Sequence, residues 1–213
     1  MTLSSTLNAA MTGLRSASRS SELISSNISN ASTPGYARRT LEITSNSGAL
    51  QSGVRINGVV RHADAQILAD RRLASAEFGY RSDTTRFLTS IEDVIGTPDQ
   101  AGSLSARLSD FDNSLILASS RPDAAERLDG TALAARDLVD AINTASENLQ
   151  DARSQADRNI AAQVNRLNDT LASVQEVNSQ ITAALSRNSD TAALQDQRQV
   201  LIDEISEMVP VRV

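Results

Sequence analysis

His62 and Asp64, two residues apart, are the pairing in this 213-residue chain best suited to moving a proton. An imidazole beside a carboxylate serves as a general base when a nucleophile or a polarised water stands within hydrogen-bond reach. His62 is the only histidine, so there is no second imidazole step and no histidine pair for a metal. Cysteine is absent, which removes thiolate nucleophiles, thiolate zinc sites and disulfides together and leaves the redox compartment undetermined. The adjacent carboxylates Glu92-Asp93 and Asp203-Glu204 read as solvated helix faces, and there is neither a glycine-rich phosphate loop nor a Gly-x-Ser-x-Gly elbow. His62 and Asp64 therefore read as a surface or helix-capping pair. No catalytic, cofactor-binding or metal-ligating set emerges, and the chemistry expected of this chain is association.

The elements that would carry association begin at the amino terminus. Leu3, Leu7, Ala10, Leu14, Ala17, Ser21, Ile24, Ile28 and Ala31 recur at spacings of four and three, the repeat that lets one helix lie along another. Of these, Leu3, Leu7, Ala10, Leu14, Ala17, Ile24 and Ile28 form the candidate assembly interface. Pro34-Gly35 then stops the helix, because proline disfavours helical geometry at Thr33 and glycine readily takes positive φ. Opposite the seam, Ser4, Ser5, Ser16, Ser18, Ser20, Ser25, Ser26 and Ser29 dominate, with only Arg15, Arg19 and Glu22 charged. Serine competes for backbone hydrogen bonds, so this helix is expected to be marginal alone, and its uncharged outer face suits a crowded lattice of like subunits.

Composition sets the remaining bounds. Aromatic residues make up 2% of the chain and tryptophan is absent, so Leu, Ile, Val and Ala must pack along narrow seams rather than around large rings. The net charge of -6 and a pI near 4.8 argue against a nucleic-acid partner. All twenty basic residues are arginine; Arg38-Arg39 and Arg71-Arg72 are adjacent and read as ion pairs on helix and strand surfaces. No basic stretch followed by an apolar run opens the chain, so a cleavable secretory signal is not expected, and no segment approaches the roughly 20 apolar residues of a membrane span.

Along the chain the periodicity changes after Tyr36. Ala37–Thr44 and Val54–Arg61 read as two strands, joined through the turn-rich link Ser45–Gly53 into a β-hairpin that occupies residues 37–63. Helical spacing returns at Asp64 and continues to Gly96-Thr97-Pro98. Leu104, Leu108, Phe111, Leu115 and Ala118 mark a third helix that closes at Arg121-Pro122. From about Asp123 to Arg187 there is no proline, so one helix of roughly 95 Å is expected at 1.5 Å per residue, with a break or bend admissible near Gln155–Asn159. Its seam is read as Leu128, Ala135, Leu138, Ile142, Leu149, Ala152, Ala156, Ile160, Leu167, Leu171, Val174, Ile181 and Leu185. A last helix, capped by Asp190 or Thr191, carries Leu194, Leu201, Ile205 and Met208. Val209–Val213 reads as the start of a strand with no partner, and the chain is expected to be part of a longer protein. The fold class is mainly α, an elongated helical bundle over residues 64–208 with one small hairpin.

Asn27-Ile-Ser-Asn30, leading through Thr33-Pro34-Gly35-Tyr36 to Arg38, resembles the amino-terminal signature of the flagellar rod, hook and hook-associated proteins, usually Asn-Asn-Ile/Leu-Ala-Asn followed by Thr-Pro-Gly-Tyr/Phe. Ser26 stands in place of the first asparagine and Ser29 in place of the alanine. The segment from Leu194 to Ser206 resembles the Leu-Asp-Gln-Arg-Asp stretch of the hook-associated branch, and the return to long helices after Asp64 is similar to that branch rather than to rod and hook proteins. The resemblance implies a structural, non-enzymatic subunit of the extracellular flagellum at the junction of hook and filament, exported without a cleaved signal through the type III apparatus. It implies copies of itself in a ring or tube, hook protein and the next hook-associated protein as partners, and an export chaperone at a carboxy-terminal region beyond this chain. It also implies terminal segments that order on assembly, with Asn27, Asn30, Thr33, Pro34, Gly35 and Tyr36 as the signature turn. No nucleic acid, membrane or cofactor is implied. The rival reading is a helical sensory or adaptor module that dimerises through its first helix.

Overall fold

The computed structural model describes residues 3–48 and 51–211. Among them the chain is mainly α, with elements in the order α1 (Leu3–Ser29), β1 (Arg38–Gly48), β2 (Gln51–His62), α2 (Ala65–Ile95), α3 (Leu104–Ser120), α4 (Ala125–Ser186) and α5 (Ala192–Ser206). Two compact units result: one is built from residues 1–78 together with 166–213, the other from 79–165.

The hairpin is longer than its composition suggested. Pairing runs antiparallel from Arg38↔His62 to Gly48↔Gln51, so most of the expected Ser45–Gly53 link is strand. Ladder bonds join backbone groups, and turn-prone side chains do not prevent them once apolar pairs such as Leu41↔Val59 and Ile43↔Ile56 set the register. Glu42 pairs with Gly58 and Ile43 with Ile56, which leaves Asn57 as the extra residue of a β-bulge. Residues 49 and 50 lie outside the described residues.

α1 lies against both strands of this hairpin. Close approach is possible because the facing residues are small: a Cβ added at Gly53 (φ +144°) would sit 2.5 Å from Thr12 Oγ1 and 3.3 Å from Ala9 Cα. The Thr12 hydroxyl donates to the Ala9 carbonyl at 3.0 Å and accepts the Val54 N–H at 3.2 Å, which pins the helix to β2.

His62 and Asp64 part company. The Asp64 carboxylate caps α2, accepting the Gln66 N–H at 2.9 Å and the Ile67 N–H at 3.1 Å. His62 Nε2 lies 2.7 Å from Thr40 Oγ1 on the exposed hairpin surface. α2 stops at Gly96 (φ +75°), and α3 starts from Ser103, whose buried hydroxyl accepts the Ala106 N–H at 3.1 Å.

α4 is a single helix of 62 residues, with no break between Gln155 and Asn159. The polar residues there bond one another along the helix surface, Gln155 to Asn159 at 2.9 Å and Arg158 to Gln155 at 2.8 Å, and leave the backbone ladder intact. Its buried positions Thr170, Val177 and Ile181 keep the three-and-four spacing, whereas the expected Leu171 and Leu185 are exposed. Asn188 (φ 54°) turns the chain. The Asp190 carboxylate then accepts the Ala192 N–H at 2.8 Å, while the Thr191 side chain makes no capping bond. Val209–Val211 form no strand, and residues 212 and 213 lie outside the described residues.

The core of the first unit contains small and aliphatic groups, among them Leu23, Ala37, Ala76, Val177, Ile181, Ala192 and Ile205. Within the second unit, Thr131 Oγ1 donates to the Ser114 carbonyl at 3.1 Å and Arg127 to the Leu117 carbonyl at 2.7 Å, which fastens the start of α4 to α3.

Candidate assembly interface and the turn that seats it

α1 has two uncharged faces, and the chain covers the less apolar one. Ser16 and Leu23 are buried, and Ser5, Ala9, Thr12, Gly13, Ser20, Ser26 and Asn27 are half-buried. Half of the serine face is thus turned inward, contrary to the expectation of a lattice-facing surface; Ser4, Ser18, Ser25 and Ser29 remain exposed. Small hydroxyl side chains allow helix and hairpin backbones to approach where a leucine would hold them apart. The aliphatic seam faces away: Leu3, Leu7, Leu14, Ile24 and Ile28 are between 58% and 88% exposed, and Ala10 and Ala17 are exposed beside them. Soluble helices ordinarily bury their apolar stripe. Here the stripe stays exposed.

At its carboxy-terminal end α1 is fastened by the signature residues. The Asn30 side chain donates to the Ser26 carbonyl at 2.9 Å, beside the Asn30 N–H that the same carbonyl accepts at 3.0 Å, and Thr33 Oγ1 donates to Asn30 Oδ1 at 3.3 Å. Asn27 does more. Its Oδ1 accepts the Tyr36 hydroxyl at 2.8 Å and the Arg39 N–H at 2.9 Å, while its Nδ2 donates to the Arg39 carbonyl at 2.8 Å. The side-chain amide thereby docks the first residues of β1 as another strand's peptide group would. Thr33 and Pro34 are exposed; Thr33 bonds Asn30 and its carbonyl accepts the Tyr36 N–H at 3.2 Å, and Pro34 shapes the turn.

Gly35 sits at φ +77°, and a Cβ there would fall 2.2 Å from Val200 Cγ2 and 3.2 Å from the Asp196 carbonyl on α5. Gly35→Ala adds both left-handed strain and a clash, so it is expected to lower stability by about 2 kcal/mol, measurable as a shift in the urea midpoint. A change below a quarter of that would mean that turn and α5 are not in contact.

The same place holds an ion cluster that local sequence patterns do not reveal. Asp196 on α5 accepts from Arg39 on β1 at 2.5 Å, from Arg61 on β2 at 2.6 Å and from the Ala37 N–H at 3.2 Å. Arg61 also donates to Gln199 and to the Gly35 carbonyl, and the Arg39 guanidinium lies 4.8 Å from the Tyr36 ring centroid. All three charged side chains are at least 85% buried. A second cluster joins α2 to α5, where Asp203 accepts from Arg71 and, at 2.8 Å, from Arg72; Glu204 meets Arg166 at 2.7 Å. Asp203 and Glu204, expected on a solvated helix face, and Arg39 and Arg72, expected in surface ion pairs, are in fact the bonds between elements. Each faces a partner more than 35 residues away in sequence, so no local periodicity marks it.

The structure brings Asn27, Asn30, Gly35 and Tyr36 into one joint with Asp196, Arg39 and Arg61, and it leaves the seam residues exposed. Among the described residues no helix is long and apolar enough to cross a membrane, and no group of His, Asp and Glu could hold a metal.

Comparison with known proteins gives two family matches. Residues 88–213 match the family described as flagellar hook-associated protein FlgK helical domain, and residues 7–36 match the flagella basal body rod protein family. Curated relatives include flagellar hook-associated protein 1 of Escherichia coli (strain K12), 30% identical over 222 residues, covering 99% of this chain and 40% of the relative. The protein of the same name from Salmonella typhimurium is 31% identical over 224 residues, covering 99% and 39%. That from Bacillus subtilis (strain 168) is 28% identical over 200 residues, covering 88% and 39%. The chain spans about two-fifths of the length of these relatives. No solved structure matches.

Proposed function

Because the chain belongs to the FlgK family of flagellar hook-associated proteins, we propose that it acts as a structural subunit of the bacterial flagellum, at the junction of hook and filament, with α1 as its polymerisation helix. The observation that carries this reading is the outward aliphatic stripe of α1. Burying one exposed Leu or Ile is worth roughly 1.5–3 kcal/mol, so covering Leu3, Leu7, Leu14, Ile24 and Ile28 with neighbouring helices favours association by on the order of 10 kcal/mol before entropic costs. The partners are copies of the chain in a ring or tube, hook protein on one side and the next hook-associated protein on the other. The longer relatives leave room for a carboxy-terminal helix that completes the pair and for an export chaperone. Export proceeds without a cleaved signal, and the place of work is outside the cell. Residues 1–36 serve as the polymerisation segment, 37–63 as the connecting hairpin and 64–208 as the helical body.

The absence of cysteine supplies a direct test. A Leu14→Cys variant carries a single thiol on the stripe, which a maleimide reagent is expected to label in the free subunit and to leave unlabelled in intact flagella. A control thiol at exposed Arg187 reacts in the free subunit and reports reagent access. Equal labelling of Leu14→Cys in both states would show that the stripe is not an interface.

A further inference from the structure

The contact of α1 with its own chain is poor in apolar area. Leu23 is the only large aliphatic side chain buried on it, and the remaining buried or half-buried positions are Ser, Thr, Ala, Gly and Asn. Core packing therefore does little to set the direction of this helix. Its direction is set by polar pins, Thr12 on Val54 towards one end and Asn27 on Arg39 at the other. The second pin is only as firm as Arg39, and Arg39 is anchored on α5, where Asp196 accepts its guanidinium.

We infer that Asp196 is a positioning residue for assembly: by gathering Arg39, Arg61 and the Ala37 N–H onto one carboxylate, it fixes the direction in which α5 and the hairpin present α1. The inference rests on the proposed role of α1 as the polymerisation helix. Two cations converge on this one anion, and Arg39 Nε is buried with no hydrogen-bond partner, so the guanidinium is held through its bond to Asp196. Withdrawing the carboxylate leaves two buried arginines side by side. Their repulsion and their need for water open the joint at its centre. Gly35 and Ala37 pack on the same stretch of α5, so the turn loses its seat in the same event. The Leu194–Ser206 segment thus has a specific task, which is to seat a turn 157 or more residues earlier in the chain.

Asp196→Asn keeps the shape of the side chain and removes its charge. In the whole chain, amide exchange over residues 27–39 is expected to quicken at least about tenfold, while α3 in the second unit exchanges as before. Incorporation into flagella should fall with it, and Asp196→Glu should restore part of both. A purely structural contribution would raise exchange in α3 by the same factor and would not respond to the glutamate. Arg61→Met removes one of the two cations and provides a milder variant, expected to loosen the turn less than Asp196→Asn. Unchanged exchange over 27–39 in Asp196→Asn overturns the inference, as does loosened exchange with normal incorporation. If the stripe thiol at position 14 is labelled equally in free and assembled protein, the proposed role of α1 has failed instead, and exchange still decides whether Asp196 holds the turn.

Discussion

Leu14→Asp is expected to leave the folded subunit within about 0.5 kcal/mol of its original stability, as surface substitutions do, and to cut incorporation into flagella more than a hundredfold. Leu14 is 70% exposed, so the subunit itself loses little packing. Under the role proposed for α1, the same position would sit between helices in an assembled wall. The substitution then forfeits the transfer of a leucine from water, roughly 1.5–3 kcal/mol, and buries a carboxylate with no cation to meet it, at a further cost of several kcal/mol. Every 1.4 kcal/mol is a tenfold change in an equilibrium constant, so the sum exceeds two orders of magnitude. Circular dichroism in urea reports the first half of the expectation, and complementation of a strain lacking the gene, scored by filament length and number, reports the second. Normal filaments from Leu14→Asp would remove α1 from the interface; loss of fold would show that the stripe is packed within the subunit.

Asp203→Ala should have the opposite profile, a large loss of stability whatever the state of assembly. The Arg72 side chain is 8% exposed and donates to Asp203 at 2.8 Å, with Arg71 on the other oxygen. Removing the anion strands a buried guanidinium, which ordinarily costs 3–5 kcal/mol; Asp203 is itself a quarter exposed, so about 3 kcal/mol is expected. That is a sizeable part of the 5–15 kcal/mol by which domains are typically stable. Adding Arg72→Met to Asp203→Ala places an apolar side chain in the arginine's site and should recover at least half of the loss. A loss below 1 kcal/mol in the single variant, or no recovery in the double, would mean that α2 and α5 are held by other contacts.

What could be read from the residues alone was whatever is written locally. The turn at Thr33-Pro34-Gly35-Tyr36, the cap at Asp64, the turn at Gly96 and the long run of α4 each depend on a few neighbouring residues and are legible, although α1 already ends at Ser29, short of the seam residue Ala31. The α1 seam was legible too, because a repeat of four and three needs nothing outside the helix. The inward face was not. Serine reads as polar surface, and only the closeness of Gly53 to Ala9 and Thr12 shows that small size, rather than polarity, suits it to the hairpin. Arginine was legible only in part. Ion pairing of Arg39 and Arg72 is legible, but their burial and their partners Asp196 and Asp203 are known only once the fold brings these together. In the second half of α4 the expected seam holds the buried Ile181 but also the exposed Leu171 and Leu185; the buried row runs through Thr170, Val177 and Ile181. Spacing decided there, and residue type did not.

The first unit closes on itself across the length of the chain, and that has a consequence in time. Arg61 and Asp196 are 135 residues apart. At synthesis rates of about 5–20 residues per second, the carboxylate follows its arginine by on the order of ten seconds. Throughout that interval the hairpin that supports α1 is already made, but the turn behind the helix has no seat on α5. The turn at Gly35 therefore stays open until α5 is made, and any factor that reads it in that form has a window set by translation rather than by affinity.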